Sequence, residues 1–533
     1  MAFTYQKNHD IRFLRNEAFL DKAEENLPRL TVRENRPAAV VGLAEAPGLL
    51  GGWGVAPDPA AEAAMAGGMG KGDSAILDFG APLVGKFGIS IASVGSPMDA
   101  PLTLKLRFAE LPFELAMDSG SYDGWLSSSW IQEEVIHLDK LPFRLELPRR
   151  YSFRYVELRV LDTSPKWKAV FTDALALAES SADRNRLALE PTGDPQLDRI
   201  CAVAVRTLEN CMQEVFEDGP KRDRRLWLGD LRLQALADYA SFDQKELVRR
   251  CLYLFAAVPA EDGRIPAAVF TAGEVIPDDT FLLDYGLFYV SVLHDYLERH
   301  WEEALLRDLY PVAKRQMDRA LLSLDGEGRF HAGEAGNPFL DWGWKYSTDA
   351  PMQGVLVYTL RHFLALAERM EDPEAPAYRR RLDAATAYAV QKLYDPEAGL
   401  FVSGPERELS LASQVWMALA HVLPETENRR LMERTAERFA PYRQAKTPYM
   451  MHHVAHALLE AGLGKQAVKL IRDYWGGMIA LGADTFWEAY DPDQPDFSPY
   501  GSPIVSSFCH AWSCTPVWLI QKYRDQILSC SSP

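Results

Sequence analysis

Residues 153–162, FRYVELRVLD, and residues 197–216, LDRICAVAVRTLENCMQEVF, follow different hydrophobic periods, and the change between them decides the fold. In the first, Tyr155, Glu157 and Arg159 alternate with Val156, Leu158 and Val160, the two-residue period of a strand with one buried face. In the second, apolar residues recur at i, i+3, i+4 and i+7, the period of a helix with one apolar face.

Working outward, the two-residue period extends back through PLTLKLRFAEL at 101–111 and AILDFGAPLVGKFGISI at 75–91, with turn residues between runs. Such a series predicts a β-sandwich over 74–182. Residues 1–73 read as an irregular arm, closed by the Ala/Gly-rich APDPAAEAAMAGGMGKGDS, which is expected to be an exposed loop attached to the β-domain. The helical period holds from residue 183 to 533, through FLLDYGLFYVSVLHDYLERHW, VLVYTLRHFLALAERM, SLASQVWMALAHVL and HHVAHALLEAGLGKQAVKLIRDYW. That is too much helix for a simple bundle, but it suits a ring of helical hairpins whose loops gather on one side.

Composition excludes several classes. The net charge is −18, from 75 acidic and 57 basic residues, and no basic stripe is present, so no nucleic-acid partner is expected. A neutral small substrate fits this balance better than a phosphate-rich one. No run approaches the ~20 apolar residues of a membrane span, and the N-terminal residues lack a secretory pattern. Six scattered cysteines, none in a CxxC pair, and no Asn-x-Ser/Thr acceptor favour a cytoplasmic location.

The densest chemistry is EDGPKRDRRLWLGD at 217–230, three Asp and three Arg around Trp227. Glycosidic hydrolysis needs one protonated carboxyl for the leaving oxygen and one carboxylate to activate water, and neighbouring arginines hold other carboxylates ionised. The alternative reading is a solvated loop that caps the next helix. A second carboxylate, Glu488 in GADTFWEAYDP, lies between Trp487 and Tyr490, where neighbouring rings tune its pKa. Asp341, Trp342 and Trp344 in GNPFLDWGWKYSTDAP, with Asp278 and Asp279, have the Asp-beside-aromatic character of a sugar subsite. His510 in CHAWS is placed to orient a carboxylate. His452 and His456 are spaced for a metal, but position 453 is His where a zinc-protease motif needs Glu, so no metal is expected.

DGPKRDRRLWLGD resembles the signature of glycoside hydrolase family 78, the α-L-rhamnosidases. DGRIPAAVF, PDDTFLLDYG, FLDWGW, TPYMMHHVAHALLEAG, GADTFWEAYDP and CHAWSCTPVWLI follow in the family's order across about residues 185–525. The resemblance implies a β-sandwich before an (α/α)6 barrel, inverting removal of terminal α-L-rhamnose and no cofactor. It makes Glu488 the general base and Asp223 the general acid, where the family usually has Glu; Asp218 and Glu217 remain alternatives for the acid. It assigns sugar binding to Asp218, Arg222, Trp227, Asp230, Asp341, Trp342 and His510; Asp279, Trp344 and Trp487 join them as candidates from the acid-beside-aromatic pattern alone. Other activities to be weighed are a uronic acid or arabinoside hydrolase and a catalytically weak sugar-binding relative. The expected partner is a small glycoside, with a homodimer possible in principle.

Overall fold

The computed structural model describes residues 10–531; the start of the N-terminal arm (1–9) and the last two residues lie outside it. A β-rich domain precedes a helical one.

Nine strands make the β-rich part: β1 (Thr31–Asn35), β2 (Ala39–Glu45), β3 (Trp53–Pro57), β4 (Ser74–Gly95), β5 (Leu102–Ala109), β6 (Glu133–Leu138), β7 (Phe143–Glu146), β8 (Tyr151–Asp162) and β9 (Trp167–Ser180). The main path runs β1-β9-β4-β8-β5-β6, with β2 and β7 also paired to β4 and β3 to β2. The alternation predicted for β5 is observed: Leu102, Leu104, Leu106 and Phe108 are buried and Thr103, Lys105 and Arg107 only partly so. Phe108 stacks on Tyr151 of β8, ring centroids 3.9 Å apart.

The arm is more ordered than its sequence implied. β1 to β3 lie within it, and β1 pairs with β9 over five residues. The Ala/Gly-rich stretch is not simply a loop, because Pro59–Gly67 is helical and packs on β9. Asp58 accepts from Ala61 N at 2.9 Å and Pro59 fills the first turn, a start signal that outweighs the low complexity.

The helical part contains six largely buried helices: Leu228–Tyr239, Leu283–Arg299, Asp349–Arg369, Leu411–Leu419, Pro448–Glu460 and Pro516–Lys522. Each packs on the next and the last touches the first. Between them run Lys245–Ala257, Glu303–Leu321, Ala375–Tyr388, Glu425–Phe439 and Gly464–Ala480, with Pro195–Cys211 before the set. These are amphipathic, with polar outer faces. Segments that precede two of the inner helices, 218–225 and 500–510, meet each other and Glu488. Among the described residues no helix is long and apolar enough to cross a membrane.

Candidate active site

The loop before Leu228–Tyr239 is organised by one carboxylate. Asp218 accepts from Asp223 N and Arg225 N, both at 3.0 Å, and its own N–H donates to Arg225 O at 3.0 Å. The segment 218–225 therefore closes on itself and turns its side chains outward in fixed directions. Gly219 is required inside it: a Cβ there would lie 2.5 Å from Arg222 O and from Ser507 Oγ.

Arg222 is the hub. Its Nε donates to Val505 O at 3.0 Å, Nη1 lies 3.3 Å from Asp223 Oδ1, and Nη2 donates to Glu488. The guanidinium sits 3.9 Å above the Tyr500 ring, and the Tyr500 hydroxyl donates to the other oxygen of Glu488. Glu488 is buried in the 484–491 segment, with its carbonyl accepting from Trp512 Nε1 at 2.9 Å. Burial pushes its carboxyl up, against the pull of Arg222 and Tyr500. Arg225 reaches from the same loop to within 3.8 Å of both Asp223 and Asp278, so the paired acids at 278–279 join the site through it.

Asp230, in the first turn of its helix, faces His510 at 3.5 Å, and neither Asp230 Oδ1 nor His510 Nδ1 has a hydrogen-bond partner. Burial, then Asp218 and Glu488, hold the Asp230 carboxyl far above its ordinary range. Burial, then Arg222, push the His510 imidazole well below its own, so it is neutral. Gly229 lets the helix start close to Tyr285, whose ring would be 2.3 Å from a Cβ at this position. Asp218, also buried, is pushed up to about 7 by desolvation and by the facing Asp223.

The remaining expected residues divide. Trp342 joins the cluster edge-on to Tyr500, centroids 5.5 Å apart. Asp279 is beside Asp278 and has one buried oxygen without a partner. Trp227 stands edge-on to Tyr285 at 6.5 Å, and Trp344 to Tyr346 at 5.2 Å. Two of the expected residues are enclosed by neighbours. Asp341 is fully buried, and its oxygens accept from Trp342 N at 2.9 Å, Lys446 N at 2.7 Å and Thr447 Oγ1 at 2.6 Å. These bonds tie it to the start of the Pro448–Glu460 helix. Trp487 is 1% exposed, with Tyr490 and Phe508 edge-on against it, so it is core behind Glu488 and offers no face to a sugar.

Sequence reading missed Tyr500. It sits in SPYGSP, which reads as a turn, and only the fold sets its hydroxyl on Glu488. The contribution of the β-rich domain was also missed. Glu114 accepts from Lys221, Glu110 accepts from Phe508 N at 2.7 Å, and Arg150 grips both oxygens of Glu217 at 2.7 Å. Glu217 is thereby occupied away from the site.

A metal has one set of candidate ligands among the described residues. His294, Asp295 and His362 bring ligand atoms within 4.8 Å of one another. The two imidazoles are parallel, 2° apart with centroids at 4.1 Å. A bound ion lies near the plane of each imidazole ligand, so rings stacked in this way do not face one ion together.

Both parts of the chain match known proteins. The glycosyl hydrolase family 78 α-rhamnosidase N-terminal domain matches residues 37–178, and the bacterial α-L-rhamnosidase six-hairpin glycosidase domain matches residues 188–523. A Klebsiella oxytoca rhamnosidase solved with rhamnose bound is 46% identical, with a TM-score of 0.93 over 96% of this chain and 100% of that one. A family 78 rhamnosidase from Bacillus sp. GL1 (22% identity, TM-score 0.69) matches over 84% of this chain but 46% of its own. The Streptomyces avermitilis α-L-rhamnosidase complexed with L-rhamnose (16%, 0.65) matches over 92% and 44%. These last two show the fold alone, and this chain spans under half of each. No curated protein matches. The class these matches define is a glycosidase. The chain belongs to glycosyl hydrolase family 78, the α-rhamnosidases.

Proposed function

We propose that the chain removes terminal α-L-rhamnose from small glycosides with inversion, using Glu488 as general base and Asp223 as general acid. The observation that carries this is the sharing of Arg222 by Asp223 and Glu488. Inversion needs the acid and base carboxyls about 6.5–9.5 Å apart to admit a water, and sharing one guanidinium keeps Asp223 and Glu488 near each other without merging them. Arg222 and Tyr500 aim the Glu488 carboxylate at that water. Asp223, at the loop surface, addresses the leaving oxygen. Asp230, whose carboxyl is held far above its ordinary range by burial and by Asp218 and Glu488, faces a sugar hydroxyl beside His510. The closed succession of inner helices supports an (α/α)6 barrel for 183–533, and the pairing of β4 with four other strands supports a β-sandwich for 74–182 extended by the arm.

A uronic acid substrate is less well supported. Arg222 and Arg225 already face carboxylates, and Arg224 Nε is taken up by Pro220 O at 2.8 Å. One observation favours a second assignment of the acid: the Asp218 carboxyl is pushed up to about 7, close to the pKa a proton donor needs. Six unpaired cysteines support a reducing compartment.

The deciding experiment is NMR of the first turnovers of an aryl α-L-rhamnoside. Initial release of β-L-rhamnose supports the assignment. Initial release of the α anomer, or hydrolysis only of other glycosides, overturns it.

A further inference from the structure

Glu488, Asp230 and His510 are buried, so a group attached to a sugar held there has to extend toward solvent. Trp125, 57% exposed, is a solvent-facing ring that touches this cluster. It belongs to the β-rich domain, on the segment between β5 and β6, and its ring lies against Tyr500 at 5.7 Å and 48°. Tyr500 donates to Glu488 and carries Trp342 on another edge. One aromatic contact therefore separates the proposed base from an indole open to solvent.

The segment that presents Trp125 is built to hold its place. Arg107 Nη1 donates to Leu115 O at 2.8 Å, and its Nη2 to Glu114 O at 2.8 Å and Met117 O at 2.9 Å. Tyr122 Oη donates to Leu126 O at 3.1 Å, closing the turn that contains Trp125. Met117, Tyr122, Leu126 and Ile131 then pack with Trp342 against Tyr500, Ile504 and Val505. A large ring fixed by its neighbours yet left open is a binding surface rather than spare core. The side chains packed on Tyr500 beneath it are apolar and aromatic. A second sugar would need hydroxyl partners as well as a face to stack on; a planar aromatic group needs only the face.

We propose that the β-rich domain supplies the leaving-group subsite, with Trp125 as the platform on which a planar aromatic aglycone stacks. This rests on the rhamnoside-cleaving reading above.

The test compares wild type, Trp125→Ala and Trp125→Phe on three rhamnosides that differ only beyond the glycosidic oxygen: a fused-ring aryl, a methyl and a disaccharide. The ratio of kcat/KM for aryl over methyl should drop about three- to tenfold in Trp125→Ala, through KM, and recover in part in Trp125→Phe. Calorimetry with the free fused-ring phenol reads the subsite without hydrolysis: wild type should bind it, and Trp125→Ala at least threefold more weakly. Equal binding by both proteins overturns the proposal, as does an equal loss on aryl and methyl rhamnosides, or a loss confined to the disaccharide. If wild type cleaves no rhamnoside yet the phenol still distinguishes the variants, the hydrolytic reading fails and the aromatic subsite stands.

Discussion

Asp223 and Glu488, separated by 264 intervening residues, are held on opposite terminal nitrogens of one guanidinium, that of Arg222. The bridge fixes the distance between the two carboxylates, and only a planar, forked cation can make it. Arg222→Lys keeps the charge but not the fork. We expect kcat to fall about a hundredfold or more, with KM changing far less, because aim is lost rather than affinity. Steady-state kinetics with an aryl rhamnoside checks this, and retention of wild-type kcat would contradict the bridge.

The two candidates for the acid separate by leaving group. Without its proton donor, an enzyme cleaves poor leaving groups slowly but retains substrates whose leaving group departs as a stable anion. Asp223→Asn should therefore lose at least a hundredfold on an alkyl rhamnoside and less than tenfold on a dinitrophenyl one. Asp218→Asn should impair both alike, because Asp218 holds the loop together through two backbone N–H groups. The opposite pattern would transfer the acid role to Asp218.

Stability should fall as pH rises. Burial lifts Glu110, Asp218 and Asp341 to about 7 and Asp238 to about 8. A carboxyl with a raised folded pKa binds its proton more tightly when folded. Its contribution is fully present below the unfolded pKa near 4 and is lost as pH climbs through the folded value. The melting temperature should drop by roughly 5 °C or more between pH 5.5 and 8. Asp238 lies away from the site, with one oxygen accepting from Gln244 N at 2.9 Å, so Asp238→Asn should flatten that slope. A scan of Tm against pH for both proteins decides it; identical slopes would remove Asp238 from the account.

Gly229→Ala should destabilise by about 1–3 kcal/mol, since its methyl would overlap the Tyr285 ring. It should also reduce kcat, because Asp230 is the next residue. Tyr285→Leu in the same chain should relieve part of the cost, so the double variant is less destabilised than the sum. Urea denaturation of the three variants measures this, and strict additivity would rule out the clash.

Much of this was legible in the sequence. The alternation of Leu102, Leu104, Leu106 and Phe108 and the helical period after residue 183 follow from which faces must leave water, so the order of β-rich and helical parts could be read directly. Asp218, Arg222, Asp223 and Asp230 were legible because they lie in one short run. Glu488 and His510 stood out by their aromatic neighbours, and the resemblance of their motifs gave them roles. What stayed hidden depends on long-range placement. Asp341 reads as a sugar ligand in its own motif, and only the fold supplies Lys446 and Thr447 as partners. Trp487 looked like a platform until Phe508 and Tyr490 closed over it. Tyr500 and Trp125 carry no local pattern, because their roles come from elements that meet only in three dimensions.

The contacts of Glu110, Glu114 and Arg150 with the 217–221 and 504–508 segments bear on how such enzymes can be recombined. The helical unit is not a portable catalyst. Grafting it behind a β-rich domain without an equivalent of Glu114 would leave Lys221 buried without its counter-ion, and the 217–225 loop would lose its backing. A working chimera has to carry those three residues across the junction, so the breakpoint that preserves activity is set by chemistry rather than by the linker.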